Sequence, residues 1–239
     1  MLTVVLVLAI LDIYLDLYAF LQLKLQISMV NRGIKIAFIH EKLFIKGESM
    51  KLENSESLQN LINAYAGESQ AAMRYTFYAK QAKKEGYEQI SAVFEETANN
   101  EKEHAKLFYK MIPSAEHRRV NSNYPFFMGN TLDNLNAAAK GEREEFEGIY
   151  RHAANIAKEE GFDDIQRLFA GIVEIEKRHT HRYEVLAENL KKNTLFKKEE
   201  QSQWICRKCG HTLISKNAPE KCPICSHPQG YFQIYSEKF

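Results

Sequence analysis

Residues 90–111 read ISAVFEETANNEKEHAKLFYKM, and residues 165–186 read IQRLFAGIVEIEKRHTHRYEVL. Both stretches repeat apolar residues at alternating steps of four and three, which keeps these side chains on one face of a helix. On that face each stretch also carries a glutamate followed three residues later by a histidine, Glu101/His104 and Glu176/His179. Buried carboxylates and imidazoles are costly unless a partner compensates them, and a metal ion does so best. Both pairs are therefore predicted to point inward, towards metal.

Two further segments place acidic residues on an apolar helical face. Glu68 lies at the centre of one, and Glu142 and Glu145 lie in the other. The first face comprises Leu58, Leu61, Tyr65, Glu68, Ala72, Tyr75, Ala79 and Ala82. Two helices with a Glu each and two with Glu-x-x-His form the dinuclear carboxylate site of ferritin-like four-helix bundles. The alternative is that these glutamates are solvated and the faces are misassigned by one residue, but four equivalent interruptions argue against it.

An internal repeat supports the same architecture. A shift of 75 residues superposes Tyr75 on Tyr150, Glu101 on Glu176 and His104 on His179, whereas Glu68 superposes on Glu142 at a shift of 74. One residue has therefore been inserted between Glu142 and Tyr150. Helices commonly absorb a single inserted residue as a π-bulge, often at a functional site. The sequence thus predicts a π-bulge near Glu145 to Tyr150.

The cysteines indicate a second metal site. All four lie in the last 34 residues, as Cys206-Arg-Lys-Cys209 and Cys222-Pro-Ile-Cys225. Two such knuckles can supply four thiolates to one tetrahedral ion. Disulfides are the alternative, which an otherwise intracellular character disfavours. Iron and zinc both accept tetrahedral sulfur, so the spacing leaves open a redox-active iron or a structural zinc.

These motifs resemble those of the rubrerythrin family. The resemblance rests on Gly67-Glu68-Ser69-Gln70-Ala71, Glu101-Lys102-Glu103-His104, Gly141-Glu142-Arg143-Glu144-Glu145 and Glu176-Lys177-Arg178-His179. The tail, from Trp204-Ile205-Cys206 to Lys221-Cys222-Pro223, looks like the rubredoxin-type domain of the same family. The resemblance runs from about Met50 to the C-terminus.

The resemblance implies a ligand set for two irons. The residues concerned are Glu68, Glu101, His104, Glu142, Glu145, Glu176 and His179. Glu101 and Glu176 would bridge the irons, and the glutamates at 68 and 142 would bind terminally. His104 and Glu145 would alternate as ligands of one iron with redox state, while His179 would hold the other iron. Oxygen-rich ligands with few imidazoles suit iron or manganese better than copper.

The resemblance also implies an activity. In this family the reduced diiron site reduces hydrogen peroxide to water, and electrons enter through a rubredoxin-type iron, here at Cys206, Cys209, Cys222 and Cys225. Glu145, Tyr75 and Tyr150 would be the catalytic residues, and the two tyrosines match family tyrosines that line the site. Two alternatives remain open: a ferroxidase or iron-handling protein that uses oxygen, and a zinc-containing scaffold without enzymatic activity.

The resemblance also implies the expected partners. They are hydrogen peroxide, a separate reductase or rubredoxin fed by reduced pyridine nucleotide, and a second copy of the chain in a head-to-tail homodimer. The chain has no nucleotide-binding glycine loop of its own. Its 32 basic and 31 acidic residues give no electrostatic case for nucleic acid. The expected location is cytoplasmic.

The predicted fold is an all-α ferritin-like four-helix bundle, residues 50–196, with a long crossover between its second and third helices. Helices are predicted at 57–85, 87–111, 131–160 and 163–192. A polar linker, residues 197–203, would lead to a rubredoxin-like domain of short β-strands, residues 204–239. Residues 1–49 are an apolar extension that has no basic n-region and no convincing small-residue cleavage site, so we do not expect a secretory signal. We expect a misassigned start with Met50 as the initiator; a membrane anchor requires that residues 1–23 be native, and Asp12 and Asp16 disfavour it.

Overall fold

The computed structural model describes residues 50–236. The expectations for residues 1–49 therefore fall outside the described residues. Within the described part, no helix is both long and apolar enough to cross a membrane.

Four long helical segments make up the bundle. The first, second and fourth segments are the helices α1 (Glu56–Lys84), α2 (Glu88–Met111) and α5 (Asp163–Lys191). The third segment consists of α3 (Thr131–Glu144), a π-helix (Glu145–Ile149) and α4 (Tyr150–Glu159). A long crossover, residues 112–130, joins the second segment to the third. The predicted ferritin-like bundle is confirmed, and its predicted helix ends lie within about one residue of the observed ones, the usual scatter of such boundaries.

The two halves of the repeat end their first helices in the same way. Gly86 and Gly161 both adopt the left-handed conformation, with φ of 84° and 83°. The following amides close the helix, because Tyr87 N donates to Ala82 O and Phe162 N donates to the carbonyl of residue 157. A glycine at this position costs no Cβ strain. Each half is therefore a helical hairpin with the same turn.

The core consists of two apolar layers with a polar layer between them. One layer contains Tyr75, Phe94, Leu135 and Tyr183, and the other contains Leu61, Phe108, Tyr150 and Phe169. Each helical segment supplies one residue to each layer, and its buried glutamate lies between the two. The spacing from glutamate to layer is seven residues, two helical turns, everywhere except from Glu142 to Tyr150, where it is eight.

The eighth residue accounts for the π-helix. Glu142 and Tyr150 are both buried, so neither side of the insertion can rotate out of the core. The extra residue is absorbed by a wider turn at Glu145–Ile149, while Gly148 and Ile149 face outward. The predicted π-bulge is thereby confirmed in both type and position.

One residue of the predicted apolar faces was assigned wrongly. Tyr65 is 37% exposed, and its neighbour Ala64 is only 5% exposed. Steps of three and four both approximate the 3.6-residue turn, so at the edge of a broad apolar face either neighbour can satisfy the pattern. The tyrosine lies against Tyr109 on the outer surface instead, with ring centroids 5.4 Å apart.

The C-terminal module is a small antiparallel sheet. Its strands are β1 (Lys197–Cys206), β2 (Thr212–Asn217) and β3 (Phe232–Ile234), in the order β2-β1-β3. Trp204 and Phe232 are fully buried at its centre. The prediction of a linker at residues 197–203 was wrong, since this stretch is the first part of β1. Because its side chains are polar, this stretch lacks the apolar pattern of a buried strand. It is stabilised by backbone pairing with β2 rather than by burial.

The module packs against the end of its own bundle. The carbonyl of Gly86 lies so close to Gly230 that a Cβ on the latter would come within 1.8 Å of the oxygen. Nearby, the rings of Tyr87 and Phe196 stack with centroids 6.4 Å apart. The module is therefore seated at the turn between α1 and α2.

Deletion of Gly148 tests the origin of the π-helix. Removing this one residue restores the seven-residue spacing between Glu142 and Tyr150, so we expect a continuous α-helix from residue 131 onward. Gly148 is exposed, and a Cβ added there would meet nothing within 4 Å. Because the deletion therefore removes no packed group, it should change the free energy of unfolding by no more than about 1 kcal/mol. A crystal structure and amide exchange across the segment measure this. A retained π-turn would show that something other than the insertion holds it.

Candidate metal centre

Four carboxylates and two imidazoles converge in the polar layer. Glu68, Glu101, His104, Glu142, Glu176 and His179 are each at most 4% exposed. Their ligand atoms form two groups, each with all its atoms within 4.8 Å of one another. The first group holds the residues at 68, 101, 104 and 176, and the second those at 101, 142, 176 and 179. Because Glu101 and Glu176 belong to both groups, two neighbouring ions could share them as bridging ligands.

The two histidines occupy equivalent places. His104 Nδ1 lies 2.7 Å from Glu101 Oε2 and 3.0 Å from Glu176 Oε1. His179 Nδ1 lies 2.7 Å from Glu176 Oε2 and 3.2 Å from Glu101 Oε1. The other ring nitrogen of His179 lies 3.2 Å from Asn100 Oδ1. Such outer contacts fix the tautomer and orientation of a ligating imidazole, and no sequence pattern pointed to Asn100.

Several buried ligand atoms of this layer lie close to one another, as do His104 Nδ1 and Glu101 Oε2 at 2.7 Å, but make no hydrogen bond of normal geometry within the described residues. They are Glu68 Oε2, both carboxylate oxygens of Glu101, His104 Nδ1, Glu142 Oε2 and Glu176 Oε1. Buried polar atoms are rarely left unsatisfied in native proteins. Divalent cations at these positions would satisfy them and neutralise the carboxylates, so the donor set fits a dinuclear metal site.

The titration of these groups reflects the same crowding. Burial raises the pKa of Glu68 well above its usual value, and the charge of Glu101 raises it further. Burial, followed by the charge of Glu176, raises the pKa of Glu142 to about 7. Burial lowers the pKa of His104, but the neighbouring carboxylates outweigh it and raise the pKa to about 9. Without a cation, the folded layer therefore retains protons that metal binding would displace.

Two buried tyrosines connect the halves of the repeat. The Tyr75 hydroxyl donates to Glu142, and the Tyr150 hydroxyl donates to Glu68 Oε1 at 2.8 Å. Each half thus orients a glutamate of the other half. Burial raises the pKa of both phenols well above the usual value, so they remain protonated donors near neutral pH.

Glu145 lies apart from the clustered ligand atoms. It belongs to neither four-residue group and lines a cavity beside Arg74 and Tyr150. Burial, and then the charges of Glu142 and Glu176, raise the pKa of Glu145 well above its usual value. The family resemblance implies that His104 and Glu145 alternate as ligands of one iron. In the structure, His104 lies in the cluster and Glu145 lies at the cavity.

The four cysteines form a second cluster, with all sulfurs within 4.8 Å of one another. The Sγ atoms of Cys206 and Cys225 are 3.7 Å apart, and those of Cys209 and Cys222 are 3.6 Å apart. A disulfide requires about 2.05 Å, so the cysteines are free. The two knuckles have the same backbone pattern: the fourth residue after the first cysteine of each bonds back to its carbonyl and has positive φ, at Gly210 and Ser226. Four converging thiols fit one tetrahedral ion.

Comparison with known proteins agrees with this geometry. A family model described as Rubrerythrin matches residues 59–187, and one described as Rubrerythrin, rubredoxin-like domain matches residues 204–233. Rubrerythrin-1 of Clostridium acetobutylicum is 46% identical over 192 residues, which cover 79% of this chain and 98% of the relative. Rubrerythrin of Porphyromonas gingivalis is 44% identical over 183 residues, covering 76% and 91%. A solved structure of nigerythrin in a mixed-valence state matches with a TM-score of 0.51 at 29% identity, covering 76% of this chain and 90% of that one.

The protons of the ligand layer predict how stability depends on pH when metal is absent. Glu142, with a usual pKa of 4.5 raised to about 7, and His104, with 6.5 raised to about 9, bind more protons folded than unfolded. Their stabilising contributions are complete below the unfolded values and are lost as pH rises through the folded ones. We expect the free energy of unfolding of the apoprotein to fall by on the order of 5 kcal/mol between pH 5 and pH 9.

Calorimetry of apoprotein and metal-loaded protein across this range tests the prediction. Metal ligands are deprotonated in the loaded protein, so its stability should not fall in the same way. An apoprotein that became more stable from pH 5 to pH 9 would contradict the assignment of these groups.

Proposed function

The chain belongs to the rubrerythrin family of diiron oxidoreductases, and on that premise we propose that it reduces hydrogen peroxide to water in oxidative-stress defence. The observation that supports this most is the shared position of Glu101 and Glu176 between two groups of buried ligand atoms. The described cysteines are free rather than paired in disulfides, which supports a cytoplasmic location.

The ligand layer would hold two irons, and the four cysteines would hold a third. When bound, the pair of irons supplies two electrons together, which cleaves the O–O bond of hydrogen peroxide without release of a one-electron radical. Glu101 and Glu176 would bridge the pair, the glutamates at 68 and 142 would bind terminally, and His104 and His179 would each complete one group. The unpartnered oxygens of the layer support this assignment.

Residues of the chain would orient the metal ligands and supply protons. Reduction of one peroxide to two waters consumes two electrons and two protons. The hydroxyls of Tyr75 and Tyr150 donate hydrogen bonds to Glu142 and Glu68 and keep these carboxylates oriented. Glu145, at the cavity and with a raised pKa, is placed to hold a proton beside the incoming substrate. We propose that this glutamate, which has no acidic counterpart in the first half of the repeat, is what adapts the site to peroxide.

The four-cysteine module supports peroxide reduction over the two alternatives. A ferroxidase draws its electrons from the iron it oxidises and has no need of an attached electron-entry site. A scaffold has no need of a buried layer of carboxylates, which is costly to fold without metal. We therefore propose that the module binds iron and passes on electrons from a reductase or a rubredoxin.

The position of the four-cysteine module on its own bundle supports a head-to-tail homodimer. The module contacts the start of α2, and Glu101 lies 13 residues beyond Glu88 on that helix, about 20 Å along its axis. Electron transfer slows steeply with distance, so a partner's module could serve the site better. An apolar surface is available for pairing: Met73, Phe77, Phe126, Phe127 and Met128 are all at least 45% exposed.

Stopped-flow mixing of the anaerobically reduced, iron-loaded protein with peroxide tests the activity. We expect peroxide to reoxidise the diiron site faster than oxygen does, and Glu145→Ala to slow the peroxide reaction by about a hundredfold, the usual effect of losing a positioned proton donor. The ferroxidase alternative predicts faster iron oxidation by oxygen and little effect of Glu145→Ala. Glu144→Ala, a neighbouring exposed glutamate, is the matched control.

A mixing experiment tests the homodimer and the electron path together. Cys222→Ser should block reduction by an external donor, while the chemically reduced diiron site still reacts with peroxide. A second variant, Glu176→Ala, should lack the diiron site but keep the module. Each variant alone should be inactive with the donor. Co-refolded mixtures should recover activity, up to about one quarter of wild type, if each module serves the partner's site. No recovery in heterodimers verified by mass would refute transfer between subunits.

A further inference from the structure

A partly enclosed cavity of about 170 Å³ lies beside the ligand layer. Its walls come from α1, from crossover residues 122–125, and from the segment around the π-helix. Several polar side chains line it beside apolar surface, among them Asn60, Gln70, Arg74, Tyr124 and Glu145. A volume of this size can hold hydrogen peroxide together with a few waters.

The inner end of the cavity reaches the ligand layer. Tyr150 lines the cavity and also donates its hydroxyl hydrogen to Glu68. Gly67, the residue before that glutamate, lines the cavity as well. Tyr150 therefore connects the wall of the cavity to Glu68 of the ligand layer.

The outer wall is a strap of crossover residues fastened to α1. Tyr124 donates its hydroxyl hydrogen to Asn63 O at 2.7 Å, and Asn121 N donates to Asn63 Oδ1 at 2.9 Å. The phenol ring lies against Gly67, where an added Cβ would come within 3.4 Å of the Tyr124 Cε1 atom. Tyr124 of the crossover and Glu145 of the π-helix both line the cavity.

The walls offer hydrogen bonds that the protein does not use. Asn60 Nδ2 is buried and has no hydrogen-bond partner among the described residues. Arg74 donates to Gln70 Oε1 at 2.6 Å through one nitrogen, and a guanidinium has four further N–H donors. Hydrogen peroxide both donates and accepts hydrogen bonds, so these walls can stabilise it. An apolar oxidant such as oxygen gains nothing from them.

We propose that this cavity is the entry route for hydrogen peroxide and that the ring of Tyr124 sets the upper size of the hydroperoxide admitted. The inference rests on the proposed function for the identity of the oxidant, but the route itself can be tested without turnover. If the cavity is the route to the ligand layer, small anions that bind an oxidised diiron site should enter through it as well, and azide reports its binding by absorbance.

Two substitutions change the opening in opposite directions. Tyr124→Ala removes the ring, and Gly67→Ala brings a methyl group against it. Tyr109→Ala, of an exposed tyrosine on α2, and Gly171→Ala, where an added Cβ meets nothing within 4 Å, are the matched controls. Iron content and thermal unfolding verify that each variant is folded and loaded.

We expect Tyr124→Ala to raise the rate with cumene hydroperoxide, relative to that with hydrogen peroxide, by about tenfold or more, since misfit of one or a few carbons changes rates by this much. Gly67→Ala should slow azide association several-fold, while the controls leave both quantities at wild-type values. Unchanged azide kinetics and an unchanged rate ratio in both variants would overturn the route. Altered azide kinetics in a protein that does not react with any hydroperoxide would uphold the route and refute the peroxidase function instead.

Discussion

The structure depends on one constraint, the burial of four carboxylates and two imidazoles in a single layer of a helical bundle. The free energy needed to desolvate these groups exceeds what their mutual contacts return, so the layer is stable only when cations or protons neutralise it. Its neighbours are arranged accordingly. Two helical turns to either side of each buried glutamate lies a buried apolar or aromatic residue, and together these residues exclude water along the bundle axis. The electrostatic interactions of the layer are strong because the residues packed around it are buried and largely apolar, which lowers the local dielectric constant.

The π-helix follows from the same constraint. Tyr75 of the first half bonds Glu142 of the second, and Tyr150 of the second half bonds Glu68 of the first. These reciprocal bonds fix both ends of the segment that carries the inserted residue. The insertion could not shift the register without breaking one of them, so the helix widened locally. The consequence is chemical as well as geometric: the widened turn begins at Glu145 and presents an acidic side chain that has no counterpart in the other half.

The sequence predicted the parts of this structure that repeat. Inward-facing Glu-x-x-His pairs identified the ligand layer, and the mismatch between shifts of 74 and 75 located the π-helix. Features that depend on backbone pairing or on a single contact were not predictable in this way. The first part of β1 has a polar composition, because its pairing with β2 needs no buried side chain. Asn100 reaches His179 through one contact that no periodicity encodes. The position of Glu145 depends on how far a π-turn rotates its side chain, and spacing alone does not determine that angle.

A buried, charged layer and a substrate that must reach it make opposing demands. Sealing the layer protects the neutralising ions, but an oxidant needs a path inward. The fold meets the two demands in different directions, one along the bundle axis and the other to its side. Along the bundle axis, apolar layers above and below exclude water. To the side, between α1, the crossover and the π-helix, the wall contains a cavity lined in part by polar side chains. The insertion that widened the helix lies at this side, and so does Gly67, whose missing side chain leaves room for Tyr124. An inserted residue within a helix, usually a defect to be absorbed, is here placed where the otherwise closed bundle meets its substrate.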